Sequence, residues 1–158
     1  SMALLAADGE SVYDGKLTQI KGRGNSTWKG AKRPYQIKLD KKTDLLQTGD
    51  SADKAKTWVL LANFYDPSAV RNMLALDLGR ALQMECNMGY RPVCLFYDGE
   101  FRGLYLLTEK VEVNEGRVDV TDLEKANEMA NPDVEDLTKL ESKTGTTANG
   151  ATYLIVTA

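Results

Sequence analysis

The sequence predicts an α+β fold, a mostly antiparallel sheet with one main packed helix, and three observations predict it. Arg91 to Tyr97 and Glu100 to Val113 are β-type runs joined by Asp98-Gly99, a dipeptide that favours a type I′ hairpin turn. Between Arg33 and Leu39, Tyr35, Ile37 and Leu39 alternate with Gln36 and Lys38, the pattern of a strand buried on one side. From Ser68 to Gln83, Val70, Met73, Leu74, Leu78, Ala81 and Leu82 recur at helical spacing behind Asp66 as N-cap and Pro67 in the first turn. At 158 residues, 42% hydrophobic and 27% charged, the chain can bury one core.

Each element follows in chain order. Residues 1–10 are expected to be a tag or flexible N-terminus, and Ser11 to Gly15 a turn into a strand over Lys16 to Lys21. Ile20 to Leu39 then carries three glycines, six Lys or Arg residues and the triplet Asn25-Ser26-Thr27 between two apolar runs. Gly22 and Gly24 lack Cβ and can reach φ > 0, so their backbone N–H groups can converge on an anion, with Arg23 beside them as a planar fork of donors. An ordinary hairpin turn, whose Asn, Ser and Thr bond their own backbone, has the same composition.

Lys29-Gly30-Ala31 is a second turn before the alternating strand, which turns Gln36 and Lys38 toward whatever the glycine turn holds. Asp40 to Lys56 reads as a polar loop anchored by Leu45-Leu46. Thr57 to Asn63 is apolar but too short for its period to separate strand from helix. After the helix and the Asn87 to Gly89 turn comes the hairpin. Its second strand is apolar on both faces, with Tyr105 and Leu107 on one and Leu104 and Leu106 on the other, so it belongs inside the sheet. Thr121 to Glu124 has capping-box spacing for a short helix. The stretch 124–149 is polar and acidic and reads as mobile, and Thr152 to Val156 is a strand at the chain terminus.

Composition excludes several chemistries. A net charge of -3 and the lack of a long apolar run give no general nucleic-acid or membrane surface. With no histidine in the chain, Ser-His-Asp and Cys-His catalysis are ruled out, and two cysteines without histidine do not make a zinc site. Cys86 and Cys94 read as free thiols, Cys94 packed as a small hydrophobe.

Five runs carry a resemblance: G-R-G-N-S-T-W (Gly22 to Trp28), R-P-Y-Q-I-K-L (Arg33 to Leu39), W-V-L-L-A-N (Trp58 to Asn63), V-R-N-M-L-A-L-D-L-G-R-A-L (Val70 to Leu82) and G-E-F-R-G-L-Y-L-L-T-E-K-V-E-V (Gly99 to Val113). In this order they resemble the spore coat protein H (CotH) family. The resemblance implies an atypical, secreted or cell-surface Ser/Thr protein kinase that uses ATP and Mg and acts on extracellular or spore-coat proteins. It also implies a sheet like a protein-kinase N-lobe, with residues 11–123 as the small-lobe domain and 150–158 as the terminal strand of a truncated larger domain.

In kinases of the usual type a strand Lys contacts the nucleotide phosphates, a helix carboxylate steadies it and a glycine loop covers them. By that pattern the cofactor-binding candidates are Arg23, Gly24, Asn25 and Lys38, with Lys32 as runner-up for the lysine and Asp77 or Glu109 as its acidic partner. Arg71 and Asn72 match the family at the helix start. Catalytic residues and metal-holding carboxylates are expected beyond this stretch, leaving it weak in nucleotide binding and inactive alone. The alternative is a non-catalytic coat or cell-surface binding module. The edge of the terminal strand is expected to allow a strand-mediated dimer.

Overall fold

The computed structural model describes residues 1–50, 53–84, 86–114 and 117–122 in full and 141–146 and 152–157 as backbone. The chain forms two compact units, Ser1–Val120 and Thr121–Ala158. In the first, β1 (Met2–Leu5), β2 (Ser11–Gly15) and β3 (Leu17–Gly22) lead through a short 3-10 helix (Ser26–Lys29) to β4 (Tyr35–Thr43) and β5 (Ala55–Leu61). The helix α1 (Arg71–Ala81) and the hairpin β6 (Tyr90–Tyr97) and β7 (Glu100–Glu109) follow. Five strands form one antiparallel sheet in the order β3-β4-β5-β7-β6, and β1 pairs with β2 separately. The fold is therefore α+β, mostly antiparallel, with a single α-helix among the described residues.

Register decides which side chains form the core. Ile37 lies opposite Trp58 and Leu60 opposite Leu107, so one face of the sheet gathers Ile37, Leu39, Trp58, Leu60, Tyr105 and Leu107. Leu45 and Leu46, the apolar anchor of the β4–β5 loop, are buried with them. That loop is organised by Asp44, whose carboxylate accepts hydrogen bonds from the Leu46 and Gly49 amides and the Thr48 hydroxyl. The other face carries Gln36, Val59 and Thr108 side by side across three strands, because Gln36 pairs with Val59 and Val59 with Thr108.

The hairpin expected at Asp98-Gly99 forms, with φ of 51° at Asp98 and 76° at Gly99, the pair of positive angles a type I′ turn requires. The β7 strand lies between β5 and β6, as its two apolar faces require. Thr57 to Asn63 resolves as strand β5 through Leu61.

The N-terminus departs from expectation. Residues 1–10 include β1, and Ser11 to Gly15 is a strand rather than a turn. Met2 and Leu4 pack on the core, and Tyr13 is buried, its hydroxyl donating to Lys16 O and Asp40 Oδ1, each at 2.9 Å. Burial and the Asp40 carboxylate raise the Tyr13 phenol, while the hydrogen bond from Tyr13 holds Asp40 below the ordinary carboxylate range.

The helix is shorter than its periodicity suggests and is not packed along its apolar ridge. Ala69 has φ 58°, which stops helical geometry from running back to Ser68, and α1 begins at Arg71. Leu74, Leu78 and Leu82 are 63%, 60% and 65% exposed. Cys94, expected inside, alternates outward, and both cysteines are free and exposed.

In the second unit β8 (Glu141–Thr146) pairs antiparallel with β9 (Thr152–Thr157), from Glu141 opposite Thr157 to Thr146 opposite Thr152. Part of the stretch read as a mobile loop is thus a strand, and the terminal strand has a partner within its own chain. Of the capping-box start expected at 121–124, Thr121 and Asp122 are described and lie in no regular element, while Leu123, Glu124 and the rest of 124–149 lie outside the described residues.

Candidate functional site

The glycine turn is built by close packing. After Gly22 ends β3, the Trp28 ring lies over it, so that a Cβ on Gly22 would fall within the ring. Trp28 meets Tyr35 edge-on at 6.2 Å between centroids, and the Arg33 guanidinium sits 5.0 Å from the Trp28 ring. Gly24, not Gly22, takes the left-handed conformation, with φ 83° and the Thr27 hydroxyl where a Cβ would stand. The Arg23 amide donates to Pro34 O at 3.3 Å, which leaves its exposed side chain as the turn's cation. Asn25 precedes the 3-10 helix, exposed and with no side-chain cap bond.

The loop from β5 to α1 faces this turn. Phe64 packs on Gly30, and the Tyr65 hydroxyl donates to Ser26 O at 3.1 Å. Within the loop Asn63 Nδ2 donates to Ala69 O at 3.2 Å and Asn72 Nδ2 to Asn63 Oδ1 at 2.7 Å. Asp66 accepts from the Ser68 hydroxyl and amide and from the Arg71 amide, the last at 2.9 Å. The Ser68 hydroxyl above all, then the Arg71 amide, lowers the Asp66 carboxyl from its ordinary value. Asp66 therefore fills the positive end of α1, Asn72 braces the loop, and Arg71 Nε stands 3.7 Å from Asp66 Oδ1 while its side chain stays 77% exposed.

Two pockets meet at Arg23. One of about 300 Å³ lies between the turn and the loop, lined by Arg23, Thr27, Asn63, Asp66, Arg71 and Asn72 among others. The other, about 180 Å³, lies on the Gln36-Val59-Thr108 face and is closed at one end by Met88 and the Glu109 to Val111 segment. Arg23 and Leu61 line both. A wider cleft of about 490 Å³ on the opposite face is walled by Met2, Leu4, Ile20, Ile37, Leu60 and Val93, an apolar gap beneath β1 with few polar groups to orient a ligand.

The structure brings Arg23, Gly24 and Asn25 together at the turn and disperses the other candidates. Lys38 shares the face of Gln36 but lies outside the lining of both pockets. Gly22 pairs with Tyr35, so Lys38 is three residues, roughly 10 Å of strand, from the turn and toward the exit of β7. Lys32 is tied to the Leu104 carbonyl and sits 4.6 Å from the Tyr105 ring centroid, and its burial lowers the ammonium's pKa.

Neither acidic candidate reaches a lysine of the site. Asp77 accepts from Arg80 at 3.0 Å and from the Tyr90 hydroxyl at 2.8 Å, an interaction that raises the Tyr90 phenol. Glu109 lines the smaller pocket, but its carboxylate accepts from the Gly89 amide at 2.7 Å and pairs with Arg117 at 3.5 Å. Sequence reasoning missed Val59, Thr108 and Arg117. Alternation marks the outward residues of a strand, but which of them meet depends on a pairing that joins β5 to β7 across α1 and β6.

A family model described as CotH kinase protein matches residues 20–151. No curated protein and no solved structure matches the chain. Among the described residues no group of three or more His, Cys, Asp or Glu side chains is arranged to hold a metal ion, and no helix is long and apolar enough to cross a membrane.

Proposed function

Because this chain belongs to the CotH kinase family, we propose that it is the nucleotide-binding part of an ATP-dependent Ser/Thr protein kinase acting on spore-coat or secreted proteins. The observation that carries this reading is the position of Arg23, at the junction of the two pockets. Among the described residues no carboxylate pairs with its guanidinium. In this reading the base lies against Val59 and Thr108 beside the Glu109 to Val111 backbone. The phosphates pass Arg23 into the larger pocket, where the exposed Arg71 side chain reaches them.

The order hairpin, strand, helix, hairpin supports a kinase-type small lobe, in which the third strand of the sheet carries the phosphate-directed lysine. Here the third strand, β5, turns Val59 and Leu61 to the pocket, so the cation comes from the turn instead. Lys38 is left to the base end. ATP fits this donor set. Magnesium does not find its carboxylates among the described residues, and no step is assigned to it.

Titration with ADP, followed by backbone amide shifts, tests the proposal. Shifts are expected at Arg23, Gly24, Val59, Thr108 and Val111, to be lost in Arg23→Ala and kept in Lys38→Ala. Saturating ADP that moves none of these amides, or moves them equally in Arg23→Ala, overturns it.

A further inference from the structure

Arg117 is the most deeply placed cation among the described ion pairs, its side chain 3% exposed. Its guanidinium sits 4.7 Å from the centroid of Trp58, itself fully buried. Nε stands 3.5 Å from Glu109 Oε1, and Nη1 donates to the Lys110 carbonyl at 3.2 Å. The turn that delivers it is closed by a Val113–Val118 bridge and by hydrogen bonds from Arg117 N to Asn114 O and from Val118 N to Glu112 O. Nε and Nη2 are buried without a hydrogen-bond partner among the described residues. Burial lowers the pKa of this group, and the carboxylates of Glu109, Glu112 and Asp53 oppose that shift.

Stability alone does not account for such a residue. Burying a guanidinium with unused donors carries a desolvation cost, and an apolar side chain on Trp58 would serve the core as well. What Arg117 touches is more specific. Glu109 and Lys110 both line the smaller pocket, and Arg117 holds one by its carboxylate and the other by its carbonyl. The second oxygen of Glu109 accepts the Gly89 amide, which extends the hold to the segment before β6.

We propose that Arg117 is a positioning residue for the site. It fixes the Glu109 to Val111 wall against Trp58, so that this backbone meets a nucleobase in one geometry and the Lys110 carbonyl is already committed. The role rests on the nucleotide reading above.

The test uses the whole chain with ADP as the probe; ADP binding and amide exchange are read with Trp28 in place, and only the emission measurement uses a Trp28→Phe background, which leaves Trp58 as the reporter. Arg117→Lys keeps the charge but loses the planar fork. It is expected to shift Trp58 emission without ligand, to speed amide exchange at 109–111, and to weaken ADP binding about tenfold with little change in melting temperature. In Arg117→Ala, added guanidinium ion is expected to restore ADP binding in part, a rescue that a merely structural defect would not show. ADP affinity unchanged in Arg117→Lys overturns the positioning role and leaves the nucleotide reading standing. ADP that binds neither protein, with the emission and exchange changes still present, defeats the nucleotide reading and leaves only a clamp on the wall. Unchanged emission and exchange defeat the clamp itself.

Discussion

Gly22 shows how a residue can be right for a site for an unexpected reason. Its composition suggests a flexible anion cradle, whereas the missing Cβ lets Trp28 lie directly on the backbone. Gly22→Ala is therefore expected to cost about 1–3 kcal/mol through overpacking, read as a lower midpoint in urea, and to change the fluorescence of the displaced indole. A neutral substitution would mean that the Trp28 ring is not seated there. Gly24, with its positive φ, is the position where backbone freedom itself is used. Charge type was legible at this scale, and charge partnership only within the helix, where Arg80 follows Asp77 by one turn. The other groups that satisfy Asp77 and Glu109, namely Tyr90, Gly89 and Arg117, come from other segments.

At the scale of elements, α1 depends on a cap set further back than an N-cap normally sits. Asp66 reaches forward to the Arg71 amide because Ala69 turns into the left-handed region between them. The aspartate was legible as a cap. The break at Ala69 was not, since alanine is a strong helix former and only the surrounding loop overrides it. Asp66→Ala is expected to lower helix content and shift the thermal midpoint down, measured by circular dichroism. The Asp66 carboxyl is held below its unfolded value, so its contribution is present above that value, about 3.9. It is lost as pH falls through the lower folded value. Acidification below about pH 4 should therefore destabilise the parent protein more than Asp66→Asn.

Strand elements were more legible than the helix. Asp98-Gly99 and the alternation in β4 each state their conformation locally, and the structure follows them. β1 was missed because four residues carry too little pattern to reveal a partner at Ser11 to Gly15.

For the whole molecule, the division between buried and exposed leucines predicts where substitution matters. Leu107→Ala empties a site in the centre of the core and is expected to cost about 2–5 kcal/mol. Leu74→Ala, on the exposed ridge of α1, should stay within about 0.5 kcal/mol. Denaturant melts of the two variants check this, and equal losses would show that the ridge is covered in solution. Fold class was legible from the order of periodic segments. Membership of the two faces was not, because it depends on which strands become neighbours.

The strand order β3-β4-β5-β7-β6 also bears on how the sheet is assembled. β3 with β4, and β6 with β7, are sequence neighbours that can zip locally, whereas the seam between β5 and β7 joins segments separated by the whole of α1 and β6. Long-range pairing of this kind must meet its loop-closure entropy before its contacts repay it, which makes the seam the slow event. Val59, Thr108 and the indole under Arg117 all sit on that seam. The pocket wall is thus expected to form late in the assembly of the five-stranded sheet, and to be lost if the two halves of that sheet separate.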